Sequence, residues 1–391
     1  MKEQSKLYGL DHLRALAILM VWFFHYQNGV FGHPQWTTTF TVGWTGVDLF
    51  YVLSGFLISS QLFALIKKGG SISLKEFYIK RFFRIIPIYL LVVAIYFLFP
   101  FFREKDTLPP LWKFLTFTQN LGLNREGQGA FSHAWSLCVE EHFYLFLPIT
   151  LLMLQYTSKF KNAWWLLLVF FIAGFILRLY SWHYLYLPKA ELDNGVDYWA
   201  MYLYYPTYCR LDGLLAGVAF AAVYQFLPKT WERISKYGNQ LILLSILLMV
   251  IAFFFLSKLY TYSSSIFGFP FISLVFGFMV AGALSPSSFL YKWKSNTTTL
   301  IATLSYGIYL THKGIIHMVQ EIFSKWGIEK DSSIMVVISL FFCVLVAWLL
   351  HLAVEKPFMK MREQFLKPVI QAIPIPVPVE TSELLKERSR S

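Results

Sequence analysis

Ten times in 391 residues the sequence runs apolar for about the length of a bilayer crossing, and this recurrence constrains the fold more than any other feature. A helix rises about 1.5 Å per residue, so roughly 20 apolar residues traverse a hydrocarbon core ~30 Å thick. The runs lie at 12–31, 45–66, 83–102, 135–156, 163–181, 206–227, 239–257, 264–284, 299–321 and 334–355. The expectation is an all-α polytopic membrane protein with about ten transmembrane helices. Composition agrees: at 57% hydrophobic and 14% charged, a soluble domain of this size would have too little charge to cover its surface. The first run carries charges and is followed by no small-residue cleavage site, so it reads as a span rather than a signal peptide. Residues 1–362 are expected to form one integral membrane domain. Residues 363–391, with IPIPVPV and then a charged end, read as a disordered cytoplasmic tail with no soluble domain attached.

The formal charge of +12 could suggest nucleic acid, but its distribution argues otherwise. With both termini cytoplasmic, twenty-two Lys and Arg fall on the cytoplasmic side and nine opposite, among them Arg178. That asymmetry is what the positive-inside rule demands. The three cysteines, Cys138, Cys209 and Cys343, all fall in expected helices, so neither a disulfide framework nor a metal site is indicated. Two long outer loops, 103–134 and 182–205, mix aromatic and polar residues. Such a surface suits a sugar, and equally an interfacial aromatic belt.

Ionisable residues within a span are costly and usually face a protein interior or a watery path. The first run, LDHLRALAILMVWFFHYQNG, keeps Asp11, Arg14 and His25. At 100° per residue, eleven steps from Arg14 to His25 make three turns plus about 20°, and Asp11 lies three steps before Arg14. All three share one side, with Arg14 and His25 roughly 16 Å apart along the axis. A snorkelling Arg14 and a hydrogen-bonded core His25 are the plainer alternative.

Asp48, in VGWTGVDLFYVLSGFLISS, needs a cation such as His25, Arg210 or Lys313, whereas Gly55 reads as a site of close helix packing. In HAWSLCVEEHFYLFLP, Ser136 and Glu140 share a face and Glu141 points about 100° away. A carboxylate there could orient an imidazole, or cap the helix start. Arg210 and Asp212, in YYPTYCRLDGLLAG, could be site residues or ion-pair partners between helices. In LSYGIYLTHKGIIH, Ser305, Tyr309 and His312 form one polar stripe, for a site or for helix association. Arg81 and Arg84, in IKRFFRIIPIY, stand one turn apart and could clamp a phosphate. Ordinary positive-inside charge is the simpler reading of that pair.

Together these segments resemble the membrane-bound acyltransferase-3 family. The matches are LDHLRALAILMVWFFH, GVDLFYVLSGFLIS, KRFFRIIPIY, HAWSLCVEEHFYLFLP, RLDGLLAG and LSYGIYLTH, in order, with VEKP at 354–357 as a weaker terminal match. The resemblance implies a multi-pass protein of the bacterial inner (plasma) membrane. Its implied activity is transfer of an acyl group, usually acetyl, from cytoplasmic acetyl-CoA or another acyl-CoA to a hydroxyl of a cell-surface or exported glycan. It also implies no permanently bound cofactor and no metal. His25 would be the catalytic base or acyl relay, Arg14 its motif partner, Asp48 and Glu140 polar site residues, and Arg81 with Arg84 the contacts for CoA phosphates. Trp135, Ser136, Arg210, Asp212, Ser305 and His312 are the candidates for substrate contact. Some relatives carry a fused extracytoplasmic SGNH-type domain, which is not expected here. Transfer would then be direct or completed by a separate extracytoplasmic transferase. The alternative function is a transporter or flippase for a glycan precursor or small carboxylate. Such a protein favours inverted repeats and broken helix pairs, and the sequence shows neither.

Overall fold

A computed structural model describes residues 7–28, 31–157, 164–256 and 259–366. The described residues are helical throughout their regular structure, with no strand among them. The main helices are α1 (Tyr8–Gln27), α2 (Gly46–Lys67), α3 (Leu74–Leu98), α4 (Trp135–Tyr156) and α5 (Trp164–Tyr180). They continue as α6 (Asp212–Phe226), α7 (Gly238–Leu256), α8 (Phe269–Leu284), α9 (Asn296–Ser324), α10 (Ser333–Leu350) and α11 (Lys356–Leu366). Helices therefore fall on all ten expected runs. Among the described residues, six helical stretches are long and apolar enough to cross a membrane, and a seventh if Pro228–Ser235 and the following α7, bent by 75°, count together. Helices α1, α6 and α9 do not reach that measure. The first carries Asp11 and Arg14, the second has 15 residues, and the third carries His312, Lys313 and Glu321. The protein is an all-α, multi-pass membrane protein.

Local chemistry sets several boundaries. The Ser73, Ser295 and Ser332 side chains accept hydrogen bonds from the backbone N–H groups of Glu76, Thr298 and Met335, capping α3, α9 and α10. Helix α3 consequently begins nine residues before the expected start at 83. Its charged first turns extend past the apolar run, so Arg81 and Arg84 lie within a helix. Likewise α11 runs to Leu366, past the expected boundary at 362, and the rest of the expected tail lies outside the described residues.

Helix α1 packs between α2 and α9, and α2 packs along α6. The α2–α6 approach is closest at glycine. A Cβ on Gly55 would meet the Leu214 carbonyl oxygen at 2.2 Å, and one on Gly217 would meet the Val52 carbonyl oxygen at 2.4 Å. Gly55 thus serves packing, as its surroundings in the sequence suggested. The 182–205 segment is not an open loop. It folds as short helical turns that bury Trp182, Tyr186, Trp199 and Tyr205. Arg178, assigned to the outer charges, is fully buried in α5 because it pairs with Asp212.

Candidate active site

The face of α1 that carries Asp11, Arg14 and His25 is turned toward α9. Thr299 donates to the Asp11 carboxylate at 3.2 Å, and a ring nitrogen of His25 lies 2.9 Å from one of His312. Between these two contacts, Arg14 lines a cavity of about 330 Å³ enclosed by α1, α2, α3, α4 and α9. The cavity wall extends along α2 from Val47 to Gln61, fourteen residues or about 21 Å.

At one end the lining is basic. Arg14, Arg81 and Arg84 all face this space, and none of them belongs to an ion pair among the described residues. The Arg81 guanidinium instead lies over the rings of Phe77 and Tyr144, 5.9 and 5.8 Å from their centroids. Guanidiniums outside ion pairs are groups suited to phosphate and carboxylate recognition. Glu140 and Glu141 line the same cavity. Ser54 donates to Glu140 at 2.9 Å and Tyr144 to its other oxygen at 3.3 Å, so this carboxyl group is held by hydroxyls rather than by the arginines.

At the other end the lining is made of hydroxyls. Tyr309 donates its single proton to the His133 carbonyl at 2.7 Å. Ser136, 2.5 Å from the same phenol oxygen, must therefore donate to it. Ser305 also faces the cavity, its hydroxyl donating to the Ala302 carbonyl. Just past this pair stand three imidazoles. The His133 and His312 rings are 4.8 Å apart, His25 and His312 4.9 Å, and His25 and His133 5.8 Å. His133 and His312 are buried, while His25 retains some exposure. His133 lies 3.3 Å from the Leu310 carbonyl through Nε2, so that nitrogen carries the proton. Its Nδ1 is left as a buried lone pair without a partner among the described residues.

His133 escaped the sequence reading because it is placed by a strained turn. Phe131 holds φ at +53°, a left-handed conformation uncommon for a bulky residue. Its ring is clasped between Tyr96 and Phe114, and its N–H donates to Glu104 at 3.1 Å. Glu104 in turn pairs with Lys313 of α9 at 2.9 Å. A buried ion pair thus ties the turn bearing His133 to the helix bearing His312.

Asp48, Arg210, Asp212 and Trp135 belong to a different constellation. Arg210 donates to Asp48 at 2.9 Å, with both side chains buried, and Arg178 pairs with Asp212. The Arg210 guanidinium sits 3.9 Å over the Phe269 ring, 4.7 Å over Tyr204 and 5.5 Å over Trp135. None of these four residues lines the cavity. They join α2, α4, α5, α6 and α8. His25 and His312 meet beyond the hydroxyl end of the cavity, and the remaining candidates, Arg14, Arg81, Arg84, Ser136, Glu140 and Ser305, face into it.

The acyltransferase-domain family matches residues 7–352. The chain is 28% identical over 334 residues to the peptidoglycan O-acetyltransferase OatA of Listeria monocytogenes, covering 79% of this chain and 49% of that protein. It is 26% identical over 385 residues to the O-acetyltransferase OatA of Staphylococcus aureus, covering 92% and 59% respectively. The chain spans between about half and three-fifths of the length of these relatives. No solved structure matches it.

Proposed function

This chain belongs to the acyltransferase-3 family, and from that premise we propose that it is a membrane O-acetyltransferase. It takes an acetyl group from cytoplasmic acetyl-CoA and passes it to a hydroxyl of a cell-envelope glycan, directly or through a separate extracytoplasmic transferase. The observation that carries this reading is the cavity itself, with three arginines that form no ion pair among the described residues at one end and the histidine cluster beyond the other. Arg81 and Arg84 lie at the end that the charge asymmetry assigns to the cytoplasm, where the phosphates of CoA would meet them. The acyl-bearing arm would lie along the cavity and bring its thioester toward Ser136, Tyr309 and His25.

In the reaction, the acceptor oxygen attacks the thioester carbonyl. The new C–O bond forms, the C–S bond breaks, and His25 moves the proton from the hydroxyl to the departing sulfur. The products are an acetyl ester and free CoA. The names of the two relatives support an acetyl group, and that of the Listeria protein supports a peptidoglycan-type acceptor.

Titration calorimetry with CoA on the purified protein in detergent tests the arginine end. Arg81→Ala and Arg84→Ala should each weaken binding by about tenfold or more, the loss of a charge-assisted hydrogen bond worth about 1.5–3 kcal/mol. Unchanged affinity in both variants, or no affinity in wild type, would remove the donor site from this cavity.

A further inference from the structure

We infer that His312 is a positioning residue that holds His25 in the single tautomer able to act as a base at Nε2. The inference rests on the reading of His25 as the base. Nδ1 of His312 lies 2.8 Å from the Tyr309 carbonyl oxygen and 3.1 Å from that of Ile308. A carbonyl oxygen only accepts, so this nitrogen must carry a proton. His312 is fully buried, where a charged ring is costly, so the imidazole is neutral and has one N–H. Its Nε2 is then a lone pair.

That lone pair lies 2.9 Å from Nδ1 of His25, which must therefore be the donor. A neutral His25 with its proton on Nδ1 has a bare Nε2, and no hydrogen bond occupies that atom among the described residues. The turn of α9 before His312 thus dictates, through two rings, which nitrogen of His25 is free. If His312 could not accept, His25 would be able to carry its proton on Nε2, where it cannot remove one from a hydroxyl. The stripe Ser305, Tyr309 and His312 accordingly divides its work. Ser305 and Tyr309 line the cavity, while His312 faces the catalytic ring.

The test begins with the wild-type protein labelled with ¹⁵N-histidine in lipid nanodiscs, the His25 signals being identified by their loss in His25→Ala. The expected spectrum has a protonated Nδ1 and a bare Nε2 for His25. A protonated Nε2 would overturn the proposal, and this readout needs no His312 variant to fold. Kinetics then separate positioning from other roles. His312→Ala should lower kcat for acetyl transfer by about 100-fold or more while leaving KM for acetyl-CoA unchanged. His312→Gln, whose side-chain carbonyl can accept the same proton, should recover much of the rate. A Gln variant as inactive as Ala, with the His25 tautomer unaltered in both, would overturn the assignment. So would a raised KM for the acceptor with kcat intact, which would make His312 a substrate contact. Wild-type transfer by His25→Ala would instead defeat the functional reading, leaving the nitrogen assignment as measured.

Discussion

Arg210 and Asp48 are the residue types that chemistry needs, buried where chemistry could happen, yet their surroundings are those of a structural pair. The guanidinium is stacked among Phe269, Tyr204 and Trp135 and turned to a carboxylate on another helix. Breaking such a pair strands a buried charge and costs about 3–5 kcal/mol, whereas replacing both partners by apolar groups can be nearly neutral. Asp48→Ala and Arg210→Ala should each lower the melting temperature of the detergent-solubilised protein and its folded yield. The double variant Asp48→Leu with Arg210→Met should recover most of the loss. A double variant as unstable as either single one would argue that the charges do more than hold α2 to α6. At this scale the sequence showed that Asp48 required a cation and offered Arg210 among the options. It could not show that their pairing would leave both outside the cavity. His133 was hidden for a related reason, since a left-handed Phe131 and the Glu104–Lys313 pair bring it to His25 and His312 from a distant segment.

At the scale of helices, the apolar runs made the elements legible. The polar side of α1 foretold which face would turn inward to α9, because 3.6-residue periodicity survives any tertiary arrangement. Helix lengths were less legible. Helix α3 starts well before its apolar run because Ser73 caps it ahead of that run, and the 182–205 segment buries aromatics that suit a sugar surface in sequence. The α2–α6 contact depends on glycines whose added Cβ atoms would strike backbone carbonyls. Backbone cannot yield as a flexible side chain can, so Gly217→Val should push α6 away from α2. Because α2 forms one wall of the cavity, the variant should lose thermal stability and CoA affinity together. Intact affinity in a destabilised but folded Gly217→Val protein would show that the cavity does not depend on this packing.

Across the whole molecule, one cavity lies between a basic end and a histidine cluster. The basic end, whose arginines form no ion pair among the described residues, is the proposed seat of the cytoplasmic donor's phosphates, and a histidine cluster lies past the hydroxyl pair of Ser136 and Tyr309. Helices α1 and α9 run alongside both regions, so the spacing of Arg14 and His25 on one helix sets the distance between them. The curated relatives are longer than this chain, and the acceptor step is where that difference bears on the proposal. The most direct measurement follows label from radiolabelled acetyl-CoA in membranes holding either wild type or His25→Ala, with envelope glycan present. The account predicts that label enters the glycan with wild type and falls by about 100-fold or more in the variant. Equal transfer in both would contradict it, because the histidine facing His312 would then have no part in moving the acyl group.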